Sequence, residues 1–169
     1  MTGKLTAEDR LDIQDLLHDY AWALDTGDAD RFTALFSVDA VLVWDAFEEP
    51  EEWKGHADIR AFLEDLRDLP STAGRQHHIS NVTVEGEGDR ARATAYVAVM
   101  VRAEDGPSPV TVLGWYDDEF VRCPDGWKIA RHTIKDWTGP VLRRLAGQTG
   151  ARTARPRPPM LAGLGRRGR

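Results

Sequence analysis

Ile13, Leu16, Leu17, Tyr20, Ala21 and Leu24 recur at intervals of three and four residues. On a 3.6-residue period they fall on one apolar stripe, so the spacing predicts a helix over "LTAEDRLDIQDLLHDYAWALDTGD". Thr6 is a suitable N-cap, Glu8 and Asp9 sit in the first turn where the helix dipole favours acids, and Gly27 ends the helix. Asp28 or Asp30 can cap a second short helix, "ADRFTALFS", packing through Phe32, Leu35 and Phe36. "AVLVWDAF" then predicts a strand, and "ADIRAFLEDLRDLP" a third amphipathic helix stopped at Pro70.

Beyond Pro70 the period changes. "HHISNVTVEG", "RARATAYVAVMVRA", "SPVTVLGWYDDEFVRC" and "GWKIARHTIKDW" are strand-like runs separated by "EGEGD", "EDGP" and "PDG", which is turn chemistry. Helices followed by a long antiparallel meander predict an α+β fold: a cone-shaped α+β barrel, with three N-terminal helices packed in a curved antiparallel or mixed sheet. The concave sheet and the helices close a cone whose wide end is a ready pocket.

Composition narrows the function classes. Of 169 residues, 30% are charged and 41% hydrophobic, the profile of a globular chain. The single cysteine, Cys123, leaves no internal disulfide framework and no multi-thiolate zinc site. There is no apolar run near ~18 residues and no secretory leader at "MTGKLTAEDR", so neither membrane insertion nor export is expected, and a cytoplasmic location is. All 28 acidic residues and all but eight of the 22 basic ones lie before position 140, a body balance of −14; the eight later arginines make the remainder +8. An acidic body argues against a nucleic-acid partner. The chain accordingly divides into a domain over 1–139 and a basic Arg/Pro/Gly-rich tail over 140–169, expected to be mobile because it has no apolar face to bury.

"YAWALDTGDADRFTALFSVDA", a short strand, a helix, "HHISNVTVEGEGDRARATAYV" and a final "DGWKIARHTIKDW" together resemble the SnoaL-like branch of the nuclear transport factor 2-like superfamily. That branch includes scytalone dehydratase, hexachlorocyclohexane dehydrochlorinase, bile-acid 7α-dehydratase and small polyketide cyclases. The resemblance spans roughly residues 5–138, and one such scaffold carries many chemistries. It implies a catalytic dyad of an Asp late in the first helix, which falls on Asp25, and a His opening a sheet strand, which falls on His77. Tyr20 and Trp44 fall where relatives place aromatic pocket residues. The chain departs from scytalone dehydratase near Val97, where a second catalytic His would stand.

The residues themselves leave the choice between neighbours open. Side chains alternate along a strand, so His78 shares a face with Val82 and Val84, and His77 shares one with Ile79, Asn81 and Thr83. If the valines mark the buried side, His78 is the alternate base; a β-bulge near Ser80 would reverse the relation. His132 is expected at the sheet surface, while Arg131, which shares parity with Trp127 and Ile129, is a candidate substrate anchor, as is Trp115 in the pocket wall. A metal site of His77, His132 and Asp25 has no ligand spacing to support it, so neither metal nor cofactor is expected.

The expected function is cofactor-independent acid–base catalysis by Asp25 and His77, as a lyase or (de)hydratase, isomerase or cyclase on a small hydrophobic or polyketide-like molecule. The rival is a non-catalytic ligand-binding or accessory dimerisation domain. A homodimer is expected through the sheet, with Val97, Val99 and Val101 read as an exposed apolar stripe.

Overall fold

The computed structural model describes residues 3–46 and 49–136. The tail over 140–169 and Trp137 lie outside the described residues. Helix α1 (Ala7–Thr26) starts on a reciprocal cap: the Thr6 side chain accepts from the Asp9 amide, and the Asp9 side chain accepts from the Thr6 amide. It stops at Gly27, whose φ of 70° is a left-handed conformation that glycine adopts without steric penalty. Asp28 caps α2 (Ala29–Ala34) by accepting from the Arg31 amide.

Helix α2 is shorter than its apolar pattern suggests. The Ile129 amide donates to the Leu35 carbonyl at 2.9 Å, so sheet pairing takes over where the helix would have continued. Strand β1 (Phe36–Asp45) therefore begins four residues before the expected "AVLVWDAF" run. A four-residue edge strand, β2 (Glu51–Lys54), was too short and polar to show a period. Helix α3 (Gly55–Arg67) follows, with Ile59, Phe62, Leu63 and Leu66 buried. The meander β3 (Arg75–Glu87), β4 (Arg90–Val101), β5 (Val110–Cys123) and β6 (Gly126–Asp136) is antiparallel throughout.

The sheet order is β2-β1-β6-β5-β4-β3, mixed because β1 runs parallel to β6. Three helices pack on one face of this six-stranded sheet, the cone-shaped α+β fold. Tyr20, Phe32, Phe36, Phe62 and Phe120 are fully buried between the layers. No described helix is long and apolar enough to cross a membrane.

Two bulges set which side chains enter the cone. On β3, Ser80 pairs with Tyr96 but Thr83 pairs with Thr94, so β3 carries one extra residue, and Asn81 takes a left-handed φ of 54°. Arg75, His77 and Ile79 consequently share the helix-facing side with Val82 and Val84. On β6, Glu119 pairs with Arg131 but Phe120 with Ile129, leaving Ala130 extra. His132 thus joins Ile129 and Trp127 on the buried side.

Candidate active site

The last turn of α1 carries Asp25 to the start of β3, where both of its carboxylate oxygens bind one residue. Oδ1 lies 2.5 Å from His77 Nδ1, and Oδ2 accepts the His77 backbone amide at 2.8 Å. A carboxylate only accepts, so Nδ1 carries the proton and the ring lone pair is left on Nε2. The two side chains are 17% and 10% exposed, so the pair is half-sheltered and still reachable.

Arg75, one inward position earlier on β3, completes the group. Its guanidinium donates to the Leu24 carbonyl at 2.6 Å and the Leu66 carbonyl at 3.2 Å, tying the ends of α1 and α3 to the sheet. Its Nε is 3.9 Å from Asp25 Oδ1. Burial pushes this guanidinium down from its ordinary value, and the charge of Asp25 opposes that.

His77 and Arg75 line a cavity of about 500 Å³ with Tyr20, Trp44, Val97 and Tyr116. Most of its wall is apolar, which suits a small hydrophobic molecule. Trp44 packs edge-on to Phe62 at 6.3 Å. Burial, and then the charges of neighbouring groups, push the Tyr20 and Tyr116 hydroxyls well above their ordinary value, so both are protonated hydrogen-bond donors. The Tyr20 hydroxyl has no hydrogen-bond partner among the described residues.

The other expected site residues are placed differently. His78 is exposed and paired across the strands with Ala98, on the sheet face away from the helices. Trp115 and Arg131 do not line the cone, contrary to expectation. Trp115 lies on the outer face under the Lys135 ammonium at 4.6 Å, and Arg131 reaches Glu52 at 3.6 Å over an outer groove. The bulge at Ala130 is the reason for Arg131, because it separates Arg131 from the buried Ile129 whose parity it shares. Val97 and Val99 point inward and are buried, so the stripe expected at a dimer interface belongs to the cavity wall.

His132 is also displaced from its expected surface position. It is fully buried between the Tyr20 and Tyr116 rings, at centroid distances of 4.3 and 4.5 Å. Its Nδ1 is 2.8 Å from Asp118 Oδ1, off the hydrogen-bond axis, and Oδ1 also accepts the Thr133 amide at 3.3 Å. Burial pushes the Asp118 carboxyl up, and His132 opposes that shift. Spacing along the chain did not suggest this pair, since Asp118 and His132 meet only as cross-strand partners. Arg75 was legible, because it shares strand parity with His77 two residues away. Among the described residues no three His, Cys, Asp or Glu side chains converge as metal ligands.

The model of the SnoaL-like domain matches residues 5–133. An uncharacterized protein of Mycobacterium tuberculosis is 35% identical over 125 residues, covering 73% of this chain and 82% of that one. A solved structure from Novosphingobium aromaticivorans, provisionally assigned as an aromatic ring hydroxylase, is 36% identical with a TM-score of 0.69, covering 80% of this chain and 93% of that chain. A second Novosphingobium structure, provisionally assigned as a scytalone dehydratase, is 20% identical with a TM-score of 0.65 over 89% of this chain and 97% of that one, a likeness of fold alone. With the family model spanning all three helices and the sheet up to Thr133 in β6, this chain belongs to the SnoaL-like domain family.

Proposed function

We propose that this protein is a general acid–base enzyme acting on a small hydrophobic carbonyl compound, without a cofactor. The observation that carries the reading is the two-point grip of Asp25 on His77, which holds the imidazole in one tautomer at the wall of an apolar cavity. His77 Nε2 takes a C–H proton beside the carbonyl. The C–H electron pair becomes the C=C bond of an enolate, and the carbonyl π pair moves to oxygen, where the Tyr20 hydroxyl donates a hydrogen bond. Asp25 stabilises the imidazolium. Returning that proton to a β-hydroxyl releases water, and returning it to another carbon gives isomerisation. The aromatic ring in the provisional name of the 36%-identical chain is compatible with such a cavity.

The test needs no known substrate. In D2O the protein should accelerate α-proton exchange of some member of a panel of cyclic and aryl ketones, followed by proton NMR. His77→Ala should reduce the exchange about 10²–10⁴-fold. Asp25→Asn should also slow it, with losses far from additive, and His78→Ala should retain it. Exchange that survives His77→Ala would overturn the assignment. Should no panel member exchange, a ligand-binding domain becomes the better reading, and the inert Val97 in the wall favours that alternative.

A homodimer through the outer sheet face is part of this proposal. That face exposes Leu113 (61%) and Tyr96 (45%), close together on β5 and β4, which a second copy would cover. Leu113→Glu should shift light scattering toward the monomer mass; a wild-type monomer at micromolar concentration would sink the idea.

A further inference from the structure

The cavity lining has a charge pattern opposite to that of the protein. Before position 140 the chain carries twice as many acidic as basic residues, yet among the described residues no Asp or Glu lines the cavity, while Arg75, His77 and Arg102 do. The charge on Arg75 is matched by Asp25 at 3.9 Å, and two of its nitrogens are spent on helix-end carbonyls. Arg102 is different. Its backbone amide donates to the Gly74 carbonyl at 3.1 Å, which fixes it where β3 starts and β4 ends, at the cavity rim. Its exposed side chain makes no ion pair or hydrogen bond with any described residue, the nearby loop acids Glu104 and Asp105 included. The rest of the wall is apolar, with Ser71, Thr72 and Thr111 supplying hydroxyls.

We propose that the cavity selects an apolar monoanion, a ring-bearing carboxylate for example, whose body fills the cone while its charged group meets Arg102 at the rim. This rests on the cavity being a small-molecule site, and not on catalysis by His77. A guanidinium beside a low-dielectric wall attracts a carboxylate more than one in open water does, and its planar fork can bind both oxygens. The net acidity of the body disfavours an anion over most of its surface, which favours the rim as the point of entry.

Binding of 2-naphthoate and of its neutral methyl ester to the full chain, by isothermal titration calorimetry, tests this without turnover. The anion should bind on the order of fivefold or more tighter at low salt, with the preference shrinking as salt is added because Arg102 is exposed. Arg102→Gln should erase the preference through loss of anion affinity, with a far smaller effect on the ester, Arg102→Lys should keep part of it, and Arg102→Glu should reverse it. Equal binding of the two compounds, a preference that survives Arg102→Gln, or no binding of either would overturn the proposal. Failure of ketone exchange in the catalytic test would leave these results unaffected, so the two ideas fall separately.

Discussion

Two sheltered Asp–His pairs among the described residues share chemistry but not surroundings, whereas a third, Asp15–His18 at 3.7 Å on α1, is exposed. Asp25–His77 sits at the wall of the cavity, with both carboxylate oxygens hydrogen-bonded to His77 and the ring partly accessible. Asp118–His132 lies deeper, at 1% and 0% exposure, with the His132 ring between Tyr20 and Tyr116, and Asp118 Oδ2 and both ring nitrogens have no hydrogen bond among the described residues. Access separates their roles: only the first can touch a ligand. The second is a buried polar pair whose desolvation is offset only by the contact between its members, so its removal is felt by the fold.

The sharpest way to break this comparison is to halve the buried pair. His132→Ala leaves Asp118 buried beside a cavity and should cost about 3–5 kcal/mol in urea unfolding. The double variant Asp118→Leu/His132→Phe should recover most of that loss, because an apolar pair packs between the two tyrosines without a desolvation penalty. A single-variant cost under about 1 kcal/mol would show that the pair is not energetically buried.

The same truncation at the other pair should be mild for the fold. His77→Ala should cost about 1 kcal/mol of stability, since water can reach the group left behind, while cutting the proposed exchange activity about 10²–10⁴-fold. A stability loss matching that of His132→Ala would erase the distinction between the pairs.

A smaller effect sharpens it further through pH. Burial raises the Asp118 carboxyl above its ordinary 3.8, so in the window above 3.8 the folded state holds a proton that the unfolded state has lost, and stability falls as pH rises. Asp9 is the opposite case. The hydrogen bond from Arg122, helped by the Thr6 amide, holds its carboxyl well below the usual range, so its contribution is present above 3.8 and is lost as pH falls below it. Relative to the wild type, Asp118→Asn should therefore gain as pH rises through that window. Asp9→Asn should show its full deficit at pH 7 and a shrinking one below pH 3.8. Melting curves of the three proteins between pH 2.5 and pH 7 check the signs, and parallel curves would refute both assignments.

Periodicity along the chain located the helices, the meander and their layered packing, because an apolar stripe or an alternating run can be buried in few ways. The resemblance carried by "ALDTGD" and "HHISN" pointed to Asp25 and His77, while strand parity left His77 and His78 undecided. Strand parity alone failed at Ser80–Thr83 and again at Ala130, since a bulge adds one residue and exchanges the two faces beyond it. Nothing within one short strand announces that insertion; it is decided by pairing with a neighbour distant in sequence.

By itself, then, the sequence determined the order of elements, the acidic body with its basic end, and the presence of Asp25 and His77 at element termini. Only the tertiary structure decided that His77 faces the cavity while His78 does not, that Arg131 and Trp115 lie outside, and that His132 is buried against Asp118. The reason is physical: which side of a strand meets the core depends on register, and register is a property of pairs of strands rather than of any one of them.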